Sequence, residues 1–347
     1  MPISELQDFF IQLHLTERCN LRCRHCYQTG GHTAELSLAE IVAVLDEVAE
    51  MLAEWSEAYG LEFSPSCNVT GGEPLLREDL FEIIAAMTAR GFAVYLLTNG
   101  TLIDAARAQR LAGLGVNGVQ VSLEGPEEVH EQIRGKGSFA ASRLGVSQLL
   151  AAGLTVTLNA TLSEVNGGHF REMVEYASGL GVQRLGFSRL VPSGRGLGLV
   201  DRMLTPERLQ EIYAEIFAMT PKDLEIVTGD PVASRLRSSS AGAELGSVAT
   251  GGCAAGLSGL TLLPDGTVTP CRRLAIPLGN VREDSLREIW ANSEVLERLR
   301  DRDQYRGKCG TCAAWAHCRG CRAIAYAHSL SRGEDDYLAA DPQCFFG

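Results

Sequence analysis

The 347-residue chain lacks several things that would each have opened a class of function. It has no apolar run long enough to cross a bilayer. Its first ten residues, MPISELQDFF, hold no basic segment followed by an apolar one, so no secretory signal is read there. Together these absences point to the cytoplasm and to no membrane partner. It also lacks a basic surplus: 31 Lys and Arg stand against 43 Asp and Glu, a net charge of −12. A general nucleic-acid surface would be basic, so no nucleic-acid partner is expected, and the acidic balance is read as solubility. There is no internal repeat at solenoid spacing.

What the chain has is cysteine, eleven in all, unevenly placed. Three lie at 19–26, one at 67 and seven between 253 and 344. Without a secretory signal, C-x3-C and C-x2-C spacings favour metal or cluster ligation over disulfides. Cys67 stands apart within an apolar strand and is expected to be a buried structural residue.

The length suggests two domains. Strand-like and helix-like segments alternate through the first two thirds. Strands are expected at 10–15, 66–70, 93–98, 119–123, 155–161 and 184–190. Helices are expected at 38–59 with Ser37 as N-cap, 78–89, 104–114, 139–152 capped by Ser138, and 170–180. Such β/α units of about thirty residues predict an α/β fold with a parallel sheet and outer helices. A closed eight-fold barrel usually needs ~250 residues. The stretch available here is shorter, so a partial (β/α)6 TIM-like barrel is expected, with functional loops at the C-terminal ends of its strands. Residues 191–199 read as a glycine-rich loop, 205–219 as a helix with Pro206 in its first turn, and 238–252 as a linker. Beyond it, strands at 260–263 and 268–271 flank the hairpin signal Pro264-Asp265-Gly266-Thr267. Short helices are expected at 286–290 and 294–300. The expected domains are 1–200, a bridge at 201–250, and a small cysteine-rich α+β domain at 251–347.

Cys19, Cys23 and Cys26 form a C-x3-C-x2-C loop after the first strand. Three thiolates can hold three irons of a cubane cluster, one short of a full set; a zinc knuckle with His25 as fourth ligand is the alternative. After the second strand comes Thr70-Gly71-Gly72-Glu73-Pro74. Two glycines let the backbone approach a neighbour closely, and the carboxylate can receive an ammonium group.

On these residues the stretch 8–200 resembles the radical S-adenosylmethionine superfamily. Cys19, Cys23 and Cys26 match its [4Fe–4S] cluster motif, and His25 stands where the family usually has an aromatic ring. Gly71, Gly72 and Glu73 match the segment that binds the methionine amino group. Val121-Ser122-Leu123-Glu124-Gly125 resembles the fourth-strand segment near the ribose and carboxylate, where Asp is commoner than Glu124; Ser122 belongs to that segment. Arg134 and Arg143 are candidates for the carboxylate, and Asn159 for the lining of the site. The resemblance implies that S-adenosylmethionine binds the open iron and is cleaved reductively. The resulting 5′-deoxyadenosyl radical then removes a hydrogen atom from an unactivated carbon, in a chamber closed to water. A reductant such as flavodoxin or ferredoxin is implied.

Residues 251–347 resemble the SPASM domain, which carries auxiliary iron–sulfur clusters. By that resemblance Cys309, Cys312, Cys318 and Cys344 form one closed cluster. Cys253, Cys271 and Cys321 hold a second, with an open iron, a non-cysteine ligand, or a [2Fe–2S] composition. Two residues separate Cys318 from Cys321 where the family often has three. The segments CRGCRAIAY and DPQC resemble members that crosslink peptides and members that tailor haem precursors. Arg272 follows Cys271 where the sulfatase-maturing branch has Asp, so sulfatase maturation is not expected. The expected substrate is a peptide or protein side chain, altered by a crosslink, thioether or desaturation. Tetrapyrrole side-chain tailoring is the alternative, and a zinc- or iron–sulfur-binding adaptor is the non-catalytic one. Only 18 residues precede Cys19, so a leader-binding partner is expected to be a separate protein.

Overall fold

The computed structural model describes residues 6–30, 34–237 and 249–347. Its first strand β1 (Leu6–His14) is followed by α1 (Leu38–Tyr59), β2 (Glu62–Thr70), α2 (Leu80–Ala89), β3 (Ala93–Thr98), α3 (Ala105–Gly113) and β4 (Gly118–Ser122). Then come α4 (Glu127–Arg134), α5 (Ser138–Ala151), β5 (Val156–Leu162), α6 (Phe170–Leu180), β6 (Arg184–Arg189), α7 (Pro206–Ala218), β7 (Glu225–Val227) and α8 (Pro231–Arg237). The C-terminal part holds β8 (Gly259–Leu262), β9 (Thr267–Thr269), β10 (Gly279–Asn280), α9 (Leu286–Asn292), α10 (Glu294–Arg300), α11 (Gly307–Thr311) and α12 (Arg322–Ser331).

Local signals account for most of these boundaries. Ser37 caps α1 in a reciprocal capping box with Glu40. Asp104 caps α3 and Thr205 caps α7, with Pro206 in its first turn. The expected cap at Ser138 is corrected: Ser138 is the first residue of α5, Gly137 is its N-cap, and the Ser138 hydroxyl donates to the Gly135 carbonyl at 2.6 Å. The expected loop at 191–199 contains the start of a 3-10 helix, Gly194–Arg202. Two elements carry too little periodicity to be seen in advance. Helix α4 is short and buries only His130 and Ile133. Strand β7 has three residues and owes its form to pairing with β6. Most of the expected linker lies outside the described residues.

All the strands belong to one open sheet in the order β10-β9-β8-β1-β2-β3-β4-β5-β6-β7. β1 through β7 are parallel, the partial barrel expected from the β/α rhythm. The sheet does not stop at the boundary expected near 251. β8 pairs parallel with β1, Phe10 opposite Gly259, and β9 turns back on β8 through the Pro264–Thr267 hairpin. A Cβ on Gly259 would lie 2.2 Å from the Phe10 carbonyl oxygen, so this pairing needs glycine there. Phe9, Trp55 and Trp290 interlock edge-on and tilted beneath the join, tying α1 to α9. The cysteine-rich segment is thereby brought beside the first barrel strand.

Candidate active site

The loop carrying Cys19, Cys23 and Cys26 leaves β1 at its C-terminal end, as the barrel rule requires. Its stem is pinned by the glycine pair after β2. The Gly72 amide donates to the Thr16 carbonyl at 2.7 Å and the Glu73 amide to the Arg18 carbonyl at 2.8 Å. A Cβ on Gly72 would stand 2.3 Å from the Arg18 carbonyl oxygen, and one on Gly71 2.6 Å from that of Thr16. The glycines thus let backbone meet backbone at Thr16 and Arg18, the latter next to the first cysteine.

Glu73 lies behind the glycine pair. Its side chain is fully buried and does not line the cavity. The Thr98 hydroxyl donates to it at 2.8 Å, as do the amides of Asn99 at 2.9 Å and Leu75 at 3.1 Å. Burial raises its pKa against the pull of these donors. The carboxylate fixes the turn after β3, whose Asn99 side-chain amide Nδ2 lies 4.0 Å from Cys19 Sγ.

Glu124, two residues beyond β4, gathers the other side of the site. Its buried carboxylate accepts from Arg134 at 2.5 and 2.9 Å and from the Thr161 amide at 2.8 Å, and lies 3.0 Å from His25 Nε2. Burial pushes the carboxyl up, but Arg134 and His25 more than offset it and hold it well below the ordinary range. Arg134 Nη1 also stands 3.8 Å from Cys23 Sγ. Burial raises the thiols of Cys19 and Cys23, and Arg134 opposes that rise at Cys23.

One cavity collects most of the expected residues: Cys19, Cys23, Cys26, Gly71, Gly72, Ser122, Arg134 and Asn159 all line it. Arg143 is left out, because it lies exposed on α5, away from that cavity. Cys67 is a core residue of β2 with no exposed surface. A second cavity of about 540 Å³ is lined by Cys253, Cys271 and Cys321. The two share a wall of Leu97, Gln120, Asn159, Ser188, Arg189, Arg272 and Arg273. The two arginines beside Cys271 were not foreseen as facing the barrel; the hairpin join to β1 places them there.

A third hollow is lined by Cys309, Cys312, Cys318 and Cys344. Cys318 and Cys321 are near neighbours in sequence yet serve different hollows. Arg319 and Gly320 between them have φ of 61° and 62°, a left-handed turn that swings the chain round. Burial pushes the thiols of Cys318 and Cys321 up to about 12. A thiolate there needs neighbouring positive charge, and Arg273 and Arg189 supply it at Cys321. Arg322 Nη2 stands 3.7 Å from Cys309 Sγ and Arg235 Nη1 3.8 Å from Cys312 Sγ. Among the described residues no three His, Cys, Asp or Glu side chains converge on a point that one metal ion could occupy. Cysteines lining a hollow and met by N–H donors suit an iron–sulfur cluster, whose ligands sit on different irons.

A family model described as the radical SAM superfamily matches residues 13–177, and one described as an iron–sulfur cluster-binding domain matches 253–321. An AdoMet-dependent heme synthase of Nitratidesulfovibrio vulgaris is 31% identical over 97% of this chain and 92% of its own length. The chain belongs to the radical S-adenosylmethionine superfamily. The mycofactocin maturase MftC of Mycobacterium ulcerans is also 31% identical, over 96% of this chain and 86% of its own. In fold, this radical S-adenosylmethionine enzyme is similar to Streptococcus suis SuiB bound to S-adenosylmethionine. That likeness has a TM-score of 0.76 at 15% identity, over 98% of this chain and 78% of SuiB. The enzyme class carries S-adenosylmethionine and an iron–sulfur cluster as cofactors. Among the described residues no helix is long and apolar enough to cross a membrane.

Proposed function

We propose that this enzyme oxidatively modifies an unactivated side chain of a peptide or protein, by crosslink, thioether or desaturation. In this reading Cys19, Cys23 and Cys26 hold a [4Fe–4S] cluster with one iron left for S-adenosylmethionine. Cys309, Cys312, Cys318 and Cys344 hold a closed auxiliary cluster. Cys253, Cys271 and Cys321 hold a second one that keeps an open or non-cysteine position. The bound cofactors supply a 5′-deoxyadenosyl radical able to take a hydrogen atom from carbon.

The observation that carries the reading is the common wall between the cavity of Cys19, Cys23 and Cys26 and that of Cys253, Cys271 and Cys321. A substrate seated along it meets the radical source at one end and an electron acceptor at the other. That arrangement suits net oxidation. The chain's own part is to orient and to exclude water. Glu124 holds Arg134 against Cys23, Glu73 holds the Asn99 turn against Cys19, and Ser122 and Asn159 line the space between.

The relative named as a maturase supports a peptide substrate. Relatives named AdoMet-dependent heme synthase support a second reading, tailoring of a tetrapyrrole side chain; one of them is matched over 92% of its length. The two are separated by mass spectrometry of anaerobic reactions with S-adenosylmethionine and reduced flavodoxin or ferredoxin. Loss of two mass units from a candidate peptide is the expected result. Turnover of a porphyrin instead would select the second reading, and zinc without iron in the purified protein would overturn both.

A further inference from the structure

The wall shared by the two cavities carries two arginines whose charge no ion pair answers among the described residues; Arg273 has the thiols of Cys321 and Cys271 and, at longer range, the Asp230 carboxylate as counter-charges. Arg272 and Arg273 follow Cys271 directly and line both cavities. Two other arginines of the site are neutralised, Arg134 by Glu124 and Arg189 by Asp230 and Asp341, while Arg195, which lines the first cavity alone, reaches the Cys23 carbonyl. Among the described residues neither Arg272 nor Arg273 has a carboxylate partner. Arg273 Nη1 reaches the Arg189 carbonyl at 3.5 Å, and its Nε is buried with no acceptor. Arg272 lies 5.8 Å from the centre of the Tyr27 ring, within cation–π reach.

Two adjacent guanidiniums repel one another and lose hydration in a cavity. Their planar forks match a carboxylate in bidentate fashion. We propose that Arg272 and Arg273 form a clamp for a carboxylate of the substrate, so that the enzyme selects carboxylate-bearing compounds and anchors them between the two cysteine sets. This rests on the reading of the joined cavities as the substrate chamber. The chemistry is common to an acid side chain of a tetrapyrrole and to the Asp, Glu or terminal carboxylate of a peptide. Two other roles compete for the same charge: offsetting the thiolates of Cys271 and Cys321, and binding the carboxylate of S-adenosylmethionine.

The test is anaerobic binding to the full-length, iron-loaded enzyme. One arm compares a fluorescent porphyrin bearing four carboxylates with its tetramethyl ester. The other compares a dye-labelled peptide bearing glutamates with its glutamine counterpart. The wild-type enzyme is expected to prefer the acid member of one pair by roughly tenfold or more, and that pair names the source. R272Q/R273Q is expected to lose the preference, and R272K/R273K, which keeps the positive charge beside Cys321, to recover part of it with iron content retained. The clamp is overturned if the wild-type enzyme prefers neither acid. It is equally overturned if the glutamine variant keeps the preference while the midpoint potential of an auxiliary cluster or the affinity for S-adenosylmethionine shifts. The wild-type comparison stands even if the variants do not fold. An iron-replete enzyme that forms no 5′-deoxyadenosine sinks the functional reading instead, whereas one that forms it without acid preference sinks the clamp alone.

Discussion

Arg189 and Asp341 meet in a fully buried bidentate pair, Nη1 to Oδ1 at 3.0 Å and Nη2 to Oδ2 at 2.8 Å, across 152 residues of chain. Arg189 ends β6, and Asp341 belongs to the C-terminal segment. The same Asp341 carboxylate accepts from the Cys321 amide at 2.8 Å. Burial raises the carboxyl, but Arg189 more than offsets it. One ion pair thus sets where Cys321 stands relative to the barrel.

Replacing Asp341 with Asn should therefore cost about 3–5 kcal/mol, the scale for breaking a buried pair from one side. Anaerobic urea denaturation measures it. Iron content at the auxiliary sites should fall with it, because the Cys321 amide loses its charged acceptor.

The cysteine sets should separate by function. Triple replacement of Cys19, Cys23 and Cys26 by Ala should abolish 5′-deoxyadenosine formation while auxiliary clusters remain visible by electron paramagnetic resonance. Replacement of Cys309 and Cys312 should lose product while 5′-deoxyadenosine is still released. Cleavage surviving the first change would refute the assignment.

Gly72→Ala should damage the site without touching a cysteine. The added methyl meets the Arg18 carbonyl at 2.3 Å and pushes the stem of the Cys19 loop outward. A destabilisation of about 1–3 kcal/mol is expected, with a fall in S-adenosylmethionine cleavage. Gly168→Ala is the control, since nothing lies within 4 Å of its added Cβ.

Arg143 and Arg134 should behave oppositely. R143A, on the exposed face of α5, should change stability by less than about 0.5 kcal/mol and leave affinity for S-adenosylmethionine as it was. R134A strips Glu124 of its principal cation and should cost about 3 kcal/mol or more, read by thermal unfolding.

Acid should weaken the fold through His14. This buried ring at the end of β1 lies 2.9 Å from the Tyr27 hydroxyl and accepts from the Gln28 amide at 3.1 Å. Burial, then the charge of Arg272, lowers its pKa from 6.5 to about 3. The unfolded chain takes up the proton near 6.5 and the folded chain does not. Stability is therefore full above pH 6.5 and falls as the pH drops from 6.5 towards 3. At pH 5 the loss is about 2 kcal/mol. Denaturation at pH 7 and pH 5 should show that difference shrinking in H14Q.

The β/α rhythm, the cap at Ser37, the hairpin at Pro264–Thr267 and the three cysteine groups could all be read from residue order, because each depends on neighbours within a few positions. Spacing of two or three residues fixes how far apart Cys19, Cys23 and Cys26 can lie, whatever the rest of the chain does. The family resemblance implied that Cys321 groups with Cys253 and Cys271 and Cys318 with Cys309, Cys312 and Cys344; how two cysteines three positions apart reach different hollows, through a left-handed turn at Arg319 and Gly320, is a matter of tertiary structure. It also turned Glu73 inward, left Arg143 outside, and carried Arg272 and Arg273 into the barrel mouth by pairing β8 with β1. These outcomes rest on sheet register and on which polar groups find partners once buried. Both are set by contacts between segments from tens to hundreds of residues apart, which local spacing does not encode.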